Sequence, residues 1–299
     1  MEITSRRHPY KFYFALLIIN LAFLCFSIFF FISNEVNAHA LGFIFIGMAA
    51  VFNYIFLKKS PKIIVNDKGI QVGKKQYYWN DRLEIEITGK GMGYIHSDYE
   101  ATKILFKNQD VVCIYDVYYA NSPEIKSFIN QVVINESEAF KFEKIRLEKK
   151  NLSFENLKTF KGHPIFSFRG IMMWGLILFV IFVPSKNPKS LEFVPILVVS
   201  AFCLFWFLLN SWMAHYFQIS NKYFIVKNHY FFWIKKVYLL KDIREIVYDQ
   251  QVRQPNALRI ITKDFDNSRF LAGTLRDKHW LEMMTVLRNK KIKVRNESI

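Results

Sequence analysis

Apolar residues fall along this chain in two patterns, four long unbroken runs and many short stretches in which apolar and polar positions alternate. The first run extends from Phe12 to Ser33 and the second from about Ala38 to Leu57. As helices rising 1.5 Å per residue, each is long enough to cross the ~30 Å of hydrocarbon in a bilayer. Only Ser33 to Asn37 separates them, which predicts a tight hairpin. The third run, Pro164 to Val183, is interrupted by Arg169, so its unbroken part is Gly170 to Val183; an arginine so placed can snorkel to the interface. A buried soluble helix is the other reading of this run, and its close partner argues for a span. That partner, Phe193 to Ala214, is long and clear, with Pro184 and the polar stretch Ser185 to Glu192 making the second turn. The N-terminal run follows Arg6 and Arg7, exceeds a secretory h-region and lacks an evident small-x-small cleavage site, so a retained anchor is expected.

The alternating stretches repeat with a period of about 155 residues, longer than solenoid repeats. IIVNDKGIQV, Ile63 to Val72, reads as two short strands around a turn supplied by Asp67 and Gly69, and Tyr216 to Asn228 answers it. Tyr77 to Ile87 matches Val237 to Tyr248, with Asp81 against Asp242. Thr102 to Phe106 then falls against Leu258 to Thr262, and VVCIYDVYY against SRFLAGTL. Each half closes on one helix. Ile125, Phe128, Ile129 and Val132 have the i, i+3, i+4, i+7 spacing of one buried face, and so do Trp280, Met283, Met284 and Leu287. Ser122 and Asp277 are suitable N-caps, with Pro123 at the favoured first-turn position.

A membrane hairpin, a strand-turn-strand such as IIVNDKGIQV, an aromatic-rich strand leading into WND or LKDI, a strand pair and a capping helix together resemble the bacterial pleckstrin-homology-like (PH-like) membrane proteins, here duplicated. The resemblance implies, for each half, a seven-stranded bent antiparallel barrel capped by a C-terminal helix, usually a binding module and not an enzyme, in the bacterial inner membrane. The expected class is thus membrane α-helical hairpins plus α+β domains. The expected boundaries are a hairpin at 1–58, a PH-like domain at 59–135, a charged linker at 136–163, a second hairpin at 164–214, a second PH-like domain at 215–293 and a tail at 294–299. The linker contains FKFEKIRLEKK, Phe140 to Lys150, and reads as solvated in preference to an amphipathic helix lying on the membrane.

Charge supplies orientation. Arg6, Arg7 and Lys11 precede the first hairpin and Lys58, Lys59 and Lys62 follow it, while its turn has no Lys or Arg, so both ends are expected in the cytoplasm. The second hairpin is less one-sided: Lys186 and Lys189 lie in its turn, against Lys158, Lys161, Arg169, Lys222 and Lys227 outside it. The majority still puts both termini and both soluble segments inside as a multi-pass protein. The chain carries 41 Lys and Arg against 25 Asp and Glu. Within it, Lys58 to Arg169 has 19 against 14 and His215 to Ile299 has 17 against 8, so the second soluble segment is the more basic. Lysine near an anionic leaflet gains roughly 1 kcal/mol. The candidate lipid-facing residues are therefore Lys58, Lys59, Lys62, Lys222, Lys227, Lys235 and Lys236, although topology determinants and solvated loops are the preferred reading of the same lysines. KNHYFFWIKK, Lys227 to Lys236, mixes aromatics with lysines as an interfacial hairpin does, or forms a strand pair with one face buried.

Catalytic chemistry is not legible. The histidines at 8, 39, 96, 163, 215, 229 and 279 are scattered singly. GKGMG, Gly89 to Gly93, lacks the Lys-Ser or Lys-Thr of a phosphate loop, and Glu84 and Glu86 share one strand face that is ordinarily the solvent face. Cys25, Cys113 and Cys203 have no metal-ligand spacing and fit a reducing location. No cofactor, metal or nucleic-acid partner is expected. Within the spans only Asn20, Asn53 and Asn210 and small hydroxyls are polar, and amides there join helices to one another. The function expected is a non-enzymatic scaffold or sensor that binds a protein partner or anionic lipid headgroups. The alternatives are a four-helix transporter or channel component, and a membrane immunity or envelope-stress protein.

Overall fold

The computed structural model describes residues 1–32, 36–92, 98–146, 156–185, 193–251 and 254–297. The chain is α+β and divides into two compact units, Met1–Glu143 and Lys144–Ile299. The turn at 33–35, residues 93 and 96, the stretch 147–155 and the second turn with Lys186 and Lys189 lie outside the described residues.

The N-terminal unit opens with a strand, β1 (Glu2–Thr4), that the hydrophobic pattern hid inside the first hairpin segment. A wide helical turn, Pro9–Phe14, leads into α1 (Ala15–Ile32) and α2 (Val36–Lys58). The chain then enters β2 (Ile63–Asn66), β3 (Gly69–Val72) and β4 (Lys75–Tyr78). β1 pairs antiparallel with β2, Glu2 opposite Asn66 and Thr4 opposite Ile64, in the sheet order β1-β2-β3-β4. The hairpin is therefore an insertion between the first two strands of one sheet, with both of its ends fastened into that sheet. Asn66 makes the β2–β3 turn: its Oδ1 accepts from the N–H groups of Lys68 and Gly69 at 3.0 and 2.9 Å. Gly69 must be glycine, since a Cβ there would lie 2.1 Å from the Tyr77 carbonyl oxygen.

A 3-10 turn, Trp79–Asp81, passes the chain to a second sheet of β5 (Arg82–Met92), β6 (Asp98–Phe106) and β7 (Val111–Tyr115), in that order. Helix α3 (Ser122–Phe128) follows and widens into a π turn at Ile129–Ile134. Ile63 and Val65 alternate inward as a half-buried strand requires and meet Trp79, Ile104, Phe106, Ile114 and Phe128 in the core. The wide turn displaces the buried face expected of α3: Ile125, Phe128 and Ile129 are buried, but Val133 takes the inward place assigned to Val132, which packs only in part.

The C-terminal unit follows the same order. β8 (Lys158–Phe160) precedes α4 (Phe168–Ser185) and α5 (Phe193–Trp212), and β9 (His215–Ile219), β10 (Tyr223–Asn228) and β11 (Lys235–Leu239) follow. Their sheet order is β8-β9-β10-β11. A 3-10 turn, Leu240–Asp242, leads to β12 (Ile243–Asp249), β13 (Ala257–Thr262) and β14 (Asn267–Leu271), then α6 (Asp277–Asn289) and β15 (Lys293–Asn296). β15 runs parallel to β12 and gives the order β14-β13-β12-β15. Trp280, Met283, Met284 and Leu287 of α6 are all buried against this core, the face their spacing predicts.

Three expectations change. Residues 136–163 are not linker throughout, because Lys158–Phe160 is a strand paired with β9; Phe140 also packs on Phe128, and the Ile145 N–H donates to Asp264. Residues 294–296 are not tail but sheet. Strands of three or four residues carry too little alternation to be read without their partners. The helix caps lie one residue earlier than assigned, at Asn121 and Arg276. Asn121 makes no side-chain cap; it accepts from the Arg6 N–H at 2.7 Å and donates to the Thr4 carbonyl at 3.0 Å, tying β1 to the start of α3.

Candidate membrane interface

Among the described residues, Pro9–Ile32 and Ala38–Lys58 are long and apolar enough to cross a membrane, while Phe168–Phe182 and Val199–Trp212 are shorter apolar stretches. Only 11% and 6% of the most apolar windows of the first two are buried within the protein, so these helices turn a large apolar surface outward. Between α1 and α2 the polar groups satisfy one another. Asn20 and Asn53 exchange two amide hydrogen bonds, at 3.0 and 2.7 Å, and the Ser27 hydroxyl donates to the Gly42 carbonyl at 2.6 Å. Phe26, Phe45 and Phe30 stack beside them. Asn210 is used otherwise: its amide donates to the Trp206 carbonyl one turn back, and its oxygen faces the Arg169 guanidinium at 3.4 Å.

An arginine stands at the foot of each hairpin. Arg7 donates through Nε and Nη2 to the Ser60 carbonyl just past α2, at 3.1 and 2.8 Å, and lies over the Phe12 ring. Arg169, at the start of α4, reaches Asn210 and the Met213 sulfur at the end of α5, and packs so closely on Gly273 that a Cβ there would lie 2.6 Å from its Nε. Its place at the foot explains why an apolar run tolerates it. Sequence reading used Arg7 only as a charge that orients the first hairpin and did not foresee its contact with Ser60.

The candidate lysines separate into groups. Lys58 ends α2, with its ammonium 5.6 Å from the Tyr54 ring centre, and Lys59 and Lys62 adjoin it before β2. Lys227 and Lys235 lie opposite each other on β10 and β11, and Lys236 stands over the Phe270 ring at 5.2 Å. Burial and the neighbouring Lys235 lower the pKa of Lys227, the expected effect of crowding two like charges. Asn228 pairs with His215, three residues beyond the end of α5, so this cluster sits at the hairpin end of the sheet. Lys222 lies at the opposite end of β10, five residues or about 17 Å from Lys227 at strand spacing, and does not join it.

KNHYFFWIKK proves to be two strand ends and the loop between them. Asn228 Oδ1 accepts from the N–H groups of Tyr230 and Phe231, and the Tyr230 hydroxyl donates to the Pro164 carbonyl at 2.9 Å while its ring meets Phe207 of α5. The loop is thus fixed at the foot of the hairpin and presents Phe232 and Trp233, 85% and 66% exposed. Exposed aromatics flanked by lysines suit the headgroup layer. Beside this surface, the C-terminal unit holds buried ions of its own. Asp249 accepts from Arg259 at 2.7 Å and Arg269 at 2.8 Å, and the Glu245 carboxylate lies 3.1 Å from Lys293 and 3.7 Å from Arg295. The N-terminal unit also buries Lys126 with Asp116, at 2.7 Å.

Fold and surface define an α+β protein carrying an apolar helical hairpin of membrane-spanning length. No protein-family model matches the chain, and no curated protein matches it.

Proposed function

We propose that the chain is a membrane-anchored, non-enzymatic binding or scaffold protein built from one unit used twice, each a two-helix transmembrane hairpin set into a helix-capped PH-like barrel. The observation that carries this reading is the pair α1–α2, whose outward apolar surface ends at both feet in a single water-compatible sheet. Equivalent backbone hydrogen bonds support the duplication. The Trp79 N–H bonds to the Lys68 carbonyl as Leu240 does to Lys222, Lys107 to Asp81 as Lys263 to Asp242, and Phe106 to Asp110 as Thr262 to Asp266. Gln109 and Phe265, with φ of 64° and 63°, occupy corresponding turns. On this reading α4 and α5 also span the bilayer, both soluble parts lie in the bacterial cytoplasm by the positive-inside rule, and their ligand is a protein partner or anionic headgroups. The Asn20–Asn53 pair favours it over transport, because those amides already satisfy each other.

The test uses cysteine-free protein carrying Lys74→Cys or Lys222→Cys in spheroplasts and proteoliposomes. Both cysteines should resist an impermeant maleimide until the membrane is opened. Labelling of either from outside, or solute flux that depends on Asn53 or Asn210, would overturn the reading.

A further inference from the structure

One strand edge is finished differently in the two units. In the C-terminal unit β12 carries β13 on one side and β15 on the other, with Glu245 opposite Lys293, Ile246 opposite Val294 and Val247 opposite Arg295. The apolar residues of this last segment, Ile292 and Val294, pack on the core, while Lys293 and Arg295 hold the Glu245 carboxylate. β5 is the corresponding strand of the N-terminal unit. It leaves an equivalent 3-10 turn, and its register with β6 shifts between Arg82 and Glu84 just as that of β12 with β13 shifts between Ile243 and Glu245. Glu84 therefore stands where Glu245 stands.

β5 is an edge, however. Among the described residues it pairs with β6 and with no other strand. After the π turn ending at Ile134 the chain folds back along α3 instead of continuing beside β5: the Ser137 N–H bonds to the Gln131 carbonyl, the Lys141 N–H to the Gln131 side chain, and Phe140 covers Phe128. What is left is an open groove of ≈ 250 Å³ lined by Arg82, Leu83, Glu84, Ile85 and Ile134. Leu83 is 59% exposed and Glu84 has no ion pair among the described residues.

We propose that this groove takes an extended segment of a protein partner, laid parallel to β5, in which apolar and basic residues alternate as in Ile292-Lys293-Val294-Arg295. An exposed strand edge gives affinity through main-chain hydrogen bonds, and alternate side chains give selectivity. Here Glu84 selects Lys or Arg, and Leu83 and Ile134 receive the apolar neighbours. The Arg82 guanidinium in the lining is occupied by the Trp79 and Val133 carbonyls, so the Glu84 carboxylate favours a cationic side chain over a phosphate headgroup. The inference rests on the binding-protein reading and names one ligand class and site within it.

The probe is a fluorescein-labelled peptide of residues 290–296, KKIKVRN, titrated by anisotropy onto the full chain in nanodiscs, beside a control in which every Lys and Arg is Glu. The expected result is saturable binding of the basic peptide, with the control at least about tenfold weaker. Glu84→Lys and Leu83→Asp should each weaken binding by about tenfold, and the acidic control should regain binding to Glu84→Lys, which shows that this variant is folded. No saturable binding to the wild type overturns the proposal. So does binding that survives Glu84→Lys but is lost in Glu245→Lys, since the peptide would then be displacing β15. Protein that keeps its membrane orientation and conducts no solute, yet ignores the peptide, refutes the edge site and leaves the anchored binding protein standing.

Discussion

The two units finish one strand edge in opposite ways. In the C-terminal unit Arg259, Arg269 and Arg295 are turned inward on Asp249 and Glu245, whose side chains are fully buried; the largely exposed Lys293 also reaches Glu245, and β15, which carries it, closes a sheet edge. In the N-terminal unit Lys126 is likewise turned inward on Asp116, but among the described residues the β5 edge carries no further strand. The lesson is that surplus charge and available charge differ. The second soluble segment is the more basic by count, with 17 Lys and Arg against 8 Asp and Glu, but four of those cations serve buried carboxylates. Among the remaining cations Lys227, Lys235 and Lys236 form a local group in the same segment as the exposed Phe232 and Trp233.

The sharpest way to break this comparison is to remove the centre of the inward cluster. Asp249→Ala strands two guanidinium groups, and loss of one partner of a buried pair costs about 3–5 kcal/mol. Thermal unfolding followed by hydrogen exchange should show the C-terminal unit losing protection while the N-terminal unit keeps it. Equal loss in both would mean that the units do not fold independently. Next in size is deletion of residues 292–299. It uncovers β12 and removes Ile292 and Val294 from the core, and partial burial of two such side chains is worth about 2–3 kcal/mol. The truncated protein should also gain a second site for the KKIKVRN peptide, so that anisotropy reports two sites where the full chain has one.

How much of this was legible beforehand depends on the length of the pattern. The four apolar runs and the face of α6 span enough turns for periodicity to mark them, and α6 buries the four residues its spacing selects, whereas the shorter α3 widens into a π turn that puts Val133 inward in place of Val132. β1, β8 and β15 were not legible, because three or four residues are defined by the strand they pair with and not by their own alternation. That omission hid the insertion of each hairpin within a sheet, and with it the contrast between the closed and open edges. The lysines were legible as residues but not as a surface. Lys222 and Lys227 are close in sequence and stand at opposite ends of one strand. The contacts of Arg7 and Asn121 were not legible because their partners, Ser60 and Thr4, are distant in the chain.

A smaller effect is expected inside the first hairpin. Replacing Asn20 and Asn53 by Leu, singly and together, tests whether their reciprocal amide bonds hold α1 to α2. Such bonds between membrane helices average about 0.6 kcal/mol and reach about 1.7. A double-mutant cycle in detergent unfolding should return a coupling of this size. A value near zero would show that the stacked Phe26, Phe45 and Phe30 suffice.

The smallest effect is a difference in pH response. His229 begins the aromatic loop, and burial, with further contributions from Lys161, His163 and His215, lowers its pKa from 6.5 to about 4. Its ring lies against Tyr216. Because the folded pKa is below the unfolded one, folding favours the neutral imidazole. The contribution is fully present above pH 6.5 and is lost as pH falls toward 4, where protonation favours the unfolded chain. His215, lowered by burial, has the same sign. In the N-terminal unit the connection between β3 and β4 is the short Gly73-Lys74 turn, which holds no histidine; His8, lowered mainly by burial, is only slightly enclosed. Between pH 6.5 and 4 the C-terminal unit should therefore lose more hydrogen-exchange protection than the N-terminal one, and His229→Gln should narrow the gap. An unchanged gap in that variant would assign the pH response to His215 or to the carboxylates, and would separate the aromatic loop from the stability of the sheet that carries it.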